Sequence, residues 1–327
     1  MEELLTKYTN YFKKLNRGYS KGLGKAPHKP ILLLSVMELM AKGEISINKI
    51  FITGELVLAF KNNWQKLVTT GHTPNFSLPF FHLKNEPFWE LETRPGMELP
   101  ITKSRSIKSF PKLKETVAFA CLEEGLFALL LTPLYRQILT EVLLDTYFPE
   151  TKGNFSLMGV NATQQQLEYE LLNEPGEIYR EHLKQLKATL KENEFLEEVF
   201  VRGSLFKKTV PRIYEYTCCI SGMKINTHAN IQMVDACHIR PFSLSNDDTI
   251  PNGISLSPNL HRAFDRGLIC INKDYRVEVS PDLTESESVY GLRQFDGVAI
   301  RLPEKKRHYP SPEGLAWHRE QVFLGEG

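Results

Sequence analysis

Four blocks decide the reading: Cys218-Cys-Ile-Ser-Gly222, Val234-Asp-Ala-Cys-His-Ile-Arg-Pro241, Asn252-Gly-Ile-Ser-Leu256 and Asn259-Leu-His-Arg-Ala-Phe-Asp-Arg-Gly-Leu268. The run from Ile231 to His238 mixes apolar and polar residues in the manner of a half-buried strand. Ser257 to Arg266 reads as a helix, with Ser257 or Asn259 available to cap its first turn. The five cysteines (Cys121, Cys218, Cys219, Cys237 and Cys270) are an odd number spread over a large chain, which argues against a disulfide framework. A structural zinc would need two CxxC pairs, and none exists, so a zinc-free domain is expected. Cys218, Cys219 and Cys270 read as core residues.

In order and spacing, these blocks resemble the HNH (ββα-metal) endonuclease superfamily, in the branch with an AAHI-P, NG-x-x-L, LH-x-x-FD pattern. The H, N and H fall on His238, Asn252 and His261. The resemblance covers about residues 202–320, including Pro303 and the closing Trp317-His318-Arg319. It implies a divalent cation, Mg²⁺ or Mn²⁺, and double-stranded DNA as substrate.

The chemistry agrees. Phosphodiester hydrolysis needs a base to deprotonate water and a cation to stabilise the charge that develops on phosphate. The resemblance makes His238 the base, and neutral imidazole suits that task near neutral pH. Asn252 would hold the loop between the strands or orient His238. His261, at the start of the helix, would hold the cation. Many relatives carry an acidic residue or a histidine directly before the base, but here Cys237 stands there, a poor ligand for a hard cation. The acidic ligand therefore shifts to Asp235 or Asp265, with Asp235 preferred. Arg240, Arg262 and Arg266 are candidate phosphate contacts.

Outward from this segment, charge is unevenly distributed. Residues 1–114 hold 18 Lys and Arg against 9 Asp and Glu, whereas residues 115–199 hold 6 against 15. A basic N-terminal segment suits a nucleic-acid surface, although a solubilising lysine face gives the same count. Residues 1–17 read as an amphipathic helix, and the basic Gly18–Pro30 stretch as irregular. Ile31–Ala41 and Ile50–Phe60 read as helices, residues 71–92 as two short aromatic strands joined by a turn, and 115–146 as helical. Residues 164–201 read as a charged helix pair broken at Pro175-Gly176, suited to a spacer or to a homodimer contact.

Residues 1–150 resemble the sulfur-binding domain of phosphorothioate-dependent (type IV) restriction endonucleases. The matching stretches are Ala26-Pro-His-Lys-Pro-Ile-Leu-Leu-Leu34 and Leu78-Pro-Phe-Phe-His-Leu83 with Phe88-Trp89. The resemblance implies a shallow apolar surface of Leu78, Pro79 and Phe80 for the sulfur. His28 and Lys29 would hold the neighbouring phosphate, with His82, Arg94 and Arg105 as further contacts. Sulfur is larger and less strongly hydrated than oxygen, so an apolar wall can favour it. Where the family often has Tyr before the proline and Arg after the histidine, this chain has Leu78 and Lys29. Lysine cannot make the forked contact that arginine makes.

The expected fold class is α+β. A mainly helical recognition domain with a small hairpin or sheet (1–150) would be followed by a helical linker (151–201) and a ββα-metal domain (202–327). No apolar run reaches the ~18 residues of a membrane span, and Met1-Glu-Glu-Leu-Leu5 lacks the pattern of a secretory signal, so a cytoplasmic protein is expected. The functional expectation is a modification-dependent DNA endonuclease. The alternatives are an HNH enzyme reading a methylated or hydroxymethylated base or an unmodified site, and a non-catalytic DNA-binding regulator.

Overall fold

The computed structural model describes residues 1–99, 107–159, 161–225 and 232–325. The chain is α+β, with many helices and small two-stranded sheets. It divides into two units, residues 1–164 with 190–201 and residues 165–189 with 202–327. The stretch 151–201 is shared between them.

In the first unit, helix α1 (Glu2–Lys13) buries Tyr8 and Phe12. Strands β1 (Tyr19–Ser20) and β2 (Gly24–Lys25) then form a tight hairpin within the stretch expected to be irregular. Gly22 sits at φ +87° and Gly24 at φ +81°, a region that glycine enters without a steric penalty. Helix α2 (His28–Ala41) is buried on nearly every side from Lys29 to Met40, as befits a core helix that is apolar all round. Its polar residues are matched internally: Asn63 donates to Ser35 Oγ at 3.1 Å and to Glu38 Oε2 at 2.8 Å. Asn63 lies on α3 (Gly54–Leu67), which Thr53 caps by accepting from Leu56 N at 3.2 Å. The expected helix began at Ile50, but that residue bridges to Ala120 in extended form, and the helix starts only at the cap.

Two further expectations are corrected. Leu78, Pro79 and Phe80 lie on a short helix, α4 (Ser77–His82), and only the second expected strand forms, as β3 (Trp89–Thr93). After α5 (Phe110–Thr116), the presumed helical stretch contains β4 (Val117–Leu122), antiparallel to β3 with Trp89 opposite Leu122. Helices α6 (Glu124–Leu131) and α7 (Pro133–Tyr147) follow, bent by 107° across Thr132. An aromatic chain ties α3, α4 and β3 together: ring centroids of Phe60 and Phe76 lie 5.7 Å apart, Phe76 and Phe80 5.5 Å, and Phe80 and Trp89 5.5 Å. Among the described residues no single helix is long and apolar enough to cross a membrane.

Helices α8 (Ala162–Asn173), α9 (Gly176–Thr189) and α10 (Glu192–Ile213) replace the expected helix pair, and the break between the first two falls at Pro175. In the second unit, Arg202 of α10 is buried and lies 2.8 Å from the buried carboxylate of Glu170 on α8. Strand β5 (Asp235–His238) pairs antiparallel with β6 (Gly253–Leu256), His238 standing opposite Gly253. The short helix α11 (Phe242–Ser245) lies in the loop between them, and α12 (Pro258–Asp265) follows β6 to complete a ββα unit. Strands β7 (Ile269–Ile271) and β8 (Val277–Val279) form a hairpin beyond it. Helix α13 (Pro312–Gln321) places His318 flat on Phe264, centroids 3.6 Å apart, and bonds it to the Phe264 carbonyl at 3.0 Å.

Candidate functional site

Two groups of residues carry chemistry, one in each unit. In the second, β5 ends at His238, whose ring stacks on Phe206 of α10 with centroids 4.0 Å apart and planes 7° apart. That approach depends on Gly253, because a Cβ there would come within 2.7 Å of Val210 and 2.8 Å of Phe206. His238 Nε2 lies 2.8 Å from Oδ1 of Asp248, a carboxylate whose side chain is 2% exposed. Burial raises the Asp248 carboxyl above its ordinary range, while the bond to His238 and the nearby charge of Arg202 oppose that rise. The His238 side chain retains 21% exposure, and its Nδ1 makes no hydrogen bond among the described residues.

Asn252 resolves the two options left by the sequence. Its Nδ2 donates to the carbonyls of Arg240 (3.0 Å) and Asp247 (2.8 Å), and its Oδ1 accepts from Arg240 N at 2.9 Å. It clamps both ends of the β5–β6 loop, and His238 is oriented by Asp248 instead. Asp247 fastens the same loop by accepting from Thr249 N (2.8 Å) and Thr249 Oγ1 (2.6 Å).

His261 stands on α12 between two carboxylates. Nδ1 lies 3.3 Å from Asp235 Oδ2 and Nε2 lies 3.4 Å from Asp265 Oδ2, the latter one helical turn away. Both carboxylates are more than half exposed, and neither is paired with Lys or Arg among the described residues. Cys237, His261 and Asp265 could also converge on one ion. However, burial, followed by the charge of Asp265, pushes the Cys237 thiol up, so it stays protonated. With Cys237 set aside, the donors left for a hard divalent cation are His261 and Asp265 at one ring nitrogen, with Asp235 at the other. Arg262 is exposed on the same helix and Arg266 is exposed at its C-terminal cap, whereas Arg240 lies over the Trp317 ring at 5.0 Å.

The first unit holds a cavity of about 360 Å³. His28, Lys29, Leu78, Pro79 and His82, drawn from two segments some fifty residues apart in sequence, all line it. Helix α4 explains the selection, since it turns Leu78, Pro79 and His82 to the cavity and Phe80 and Phe81 to the core. Phe80 is fully buried and is thus corrected from a contact to a core residue. His28 bonds the Thr73 carbonyl at 3.0 Å and meets the Trp64 ring edge-on. Burial lowers its pKa to about 4, so it is neutral at physiological pH. Burial and the neighbouring lysines lower His82 as well. Lys29 reaches the cavity wall, yet its ammonium lies 2.5 Å from Glu86, both side chains being 7% exposed. That buried pair replaces the free phosphate contact expected of Lys29. Arg94 donates to the Lys114 carbonyl and does not line the cavity, and Arg105 lies outside the described residues.

Sequence reasoning missed Asp248 and Phe206 in the second unit, and Asn16, Arg17, Tyr19, His72 and Asn85 around the cavity. Arg17 directly precedes the basic Gly18–Pro30 stretch and Tyr19 lies within it, and that stretch is the one available signal for them.

Residues 218–272 match the family model described as HNH endonuclease, so the second unit carries an HNH endonuclease domain. No curated protein matches the chain. Among solved structures, one similar chain is described as a modification-dependent TagI restriction endonuclease. It shows 24% identity and a TM-score of 0.29 over 36% of this chain, and the match spans only 37% of that protein. Another is described as the type IV phosphorothioation-dependent restriction endonuclease ScoMcrA, with 11% identity and a TM-score of 0.34 over 78% of this chain and 94% of the other.

Proposed function

We propose that this protein is a modification-dependent DNA endonuclease whose first unit reads phosphorothioated double-stranded DNA and whose HNH domain hydrolyses the backbone. The observation that carries the reader is the convergence of Leu78, Pro79, His28 and His82 on one cavity. An apolar wall beside imidazoles kept neutral suits a soft, weakly hydrated sulfur better than phosphate oxygen.

In the HNH domain, His238 removes a proton from the attacking water through Nδ1. The water oxygen bonds to phosphorus, and the ester oxygen leaves and takes a proton from solvent. Asn252 keeps the loop that carries His238 and Asp248 in register. His261 with Asp235 or Asp265 would hold Mg²⁺ or Mn²⁺, which supplies charge stabilisation to the phosphate and leaving oxygen when bound. Arg262 and Arg266 meet neighbouring phosphates.

The test uses duplexes of one sequence in phosphorothioated, cytosine-methylated and plain form, with Mg²⁺ or Mn²⁺. Phosphorothioated DNA should bind at least roughly tenfold more tightly, about 1.4 kcal/mol, and cleavage should stop with EDTA. Equal affinity for all three duplexes would remove the sulfur reading, and preference for the methylated one would replace it with a base reader. Undiminished cleavage by His238→Ala would remove the nuclease mechanism.

A further inference from the structure

The strongest unassigned feature is the buried carboxylate beside His238. Asp248 sits in the β5–β6 loop, yet that loop is already held by Asn252 and Asp247. The hydrogen bond that Asp248 does make runs through Oδ1 to His238 at 2.8 Å, and its Oδ2 is buried with no hydrogen-bond partner among the described residues. A carboxylate with a mainly structural task would accept backbone amides, as Asp247 does from Thr249. The other groups that act on this carboxylate or face the imidazole include Arg202 of α10, Asp247, Tyr179 of α9 and the Phe206 and Phe242 rings. Arg180 is paired to Asp247 at 3.3 Å.

From this arrangement we infer that Asp248 is the positioning residue of the proposed base. It fixes His238 in the tautomer that carries its proton on Nε2 and turns the Nδ1 lone pair to the attacking water. The inference rests on the nuclease reading above. Two devices act together on the ring. Phe206 sets its plane by stacking, and the hydrogen bond sets its rotation within that plane. When Nδ1 takes the proton from water the ring becomes imidazolium, and the adjacent carboxylate stabilises that charge. In a buried setting the attraction far exceeds its value in water. No proton moves to Asp248; Nε2–H remains on the ring throughout. The same logic governs serine hydrolases, where a buried carboxylate holds a catalytic histidine in its working tautomer.

The experiment pairs kinetics with spectroscopy on the full chain. Asp248→Asn keeps the shape and removes the charge. Its single-turnover cleavage rate with Mn²⁺ should fall by roughly ten- to a thousandfold, while its affinity for the same duplex stays within about twofold. Long-range ¹H–¹⁵N correlation of labelled histidines should show His238 as the Nε2–H tautomer in the wild type, a measurement that needs no variant to fold. A wild-type Nδ1–H tautomer, or an Asp248→Asn rate within about threefold of wild type, would overturn the assignment. His238→Ala serves as the separate control. If it cleaves as well as the wild type, the nuclease mechanism has failed, whatever Asp248 does.

Discussion

At position 253 the absence of a side chain allows the packing around His238 to form. Gly253 pairs with His238 across the strands, and Phe206 and Val210 occupy the volume that a Cβ would need. Gly253→Ala should push Phe206 off the imidazole, costing about 1–3 kcal/mol from overpacking. We expect a lower thermal midpoint and a cleavage rate reduced by at least roughly tenfold, with DNA affinity unchanged. A variant as stable and as active as the wild type would show that the stacking contributes nothing. The residues that anchor this site were legible for a simple reason. His238, Asn252 and His261 sit on one continuous ββα segment, so their spacing along the chain encodes their placement. Phe206 and Asp248 were not legible, because one comes from a helix that precedes the motif and the other looks like any aspartate in a polar loop. Lys29 shows the converse: a lysine in a basic stretch reads as a phosphate contact, and only the fold reveals that Glu86 neutralises it.

Among the elements, α4 shows why aromatic runs mislead. Leu78-Pro-Phe-Phe-His82 has the composition of a strand, yet Pro79 tolerates the first turn of a helix, where its missing N–H costs nothing. The helix then separates the run into two faces, with Leu78, Pro79 and His82 toward the cavity and Phe80 against Phe76 and Trp89. The faces should respond differently to truncation. Phe80→Ala should lose about 3–5 kcal/mol of stability, the usual cost of emptying a buried phenylalanine site. Leu78→Ala, on the half-exposed face, should lose less than about 1 kcal/mol and yet weaken binding of phosphorothioated duplex severalfold, without altering affinity for plain duplex. Chemical denaturation and a binding titration on each variant decide the matter; a large stability loss in both would mean that Leu78 belongs to the core. Strand β4 was missed for a related reason. Val117-Ala-Phe-Ala-Cys-Leu122 suits helix or strand locally, and its pairing to β3 and to Ile50 decides in favour of the strand.

Over the whole chain, the boundary that sequence could not supply is the interleaving of the units, because helical patterning gives no sign of which core each helix joins. Residues 165–189 count with the second unit although 190–201 count with the first. Each unit also keeps a histidine neutral by burial: His28 in the first and His318 in the second, both with pKa values lowered to about 4. In the unfolded chain these rings titrate near 6.5. Between those values the unfolded state binds more protons than the folded one, so stability rises with pH there. It is complete above pH ~6.5 and falls steadily toward pH ~4, by up to about 3 kcal/mol for each ring. Glu197 in the first unit works in the opposite sense. Burial raises its carboxyl to about 7, so its ionisation costs stability as pH climbs from ~4.5 through 7. The first unit should therefore have a shallow optimum, because one group gains over the range in which the other loses. In the second unit burial also raises the Asp248 carboxyl and lowers His308, and these two act in opposite senses. Glu197→Gln tests the balance. Denaturation of this variant across pH 4–8 should match the wild type near pH 4 and exceed it above pH 7, making the acid-side slope steeper. A variant equally displaced at both ends would show that Glu197 acts through packing and not through its charge.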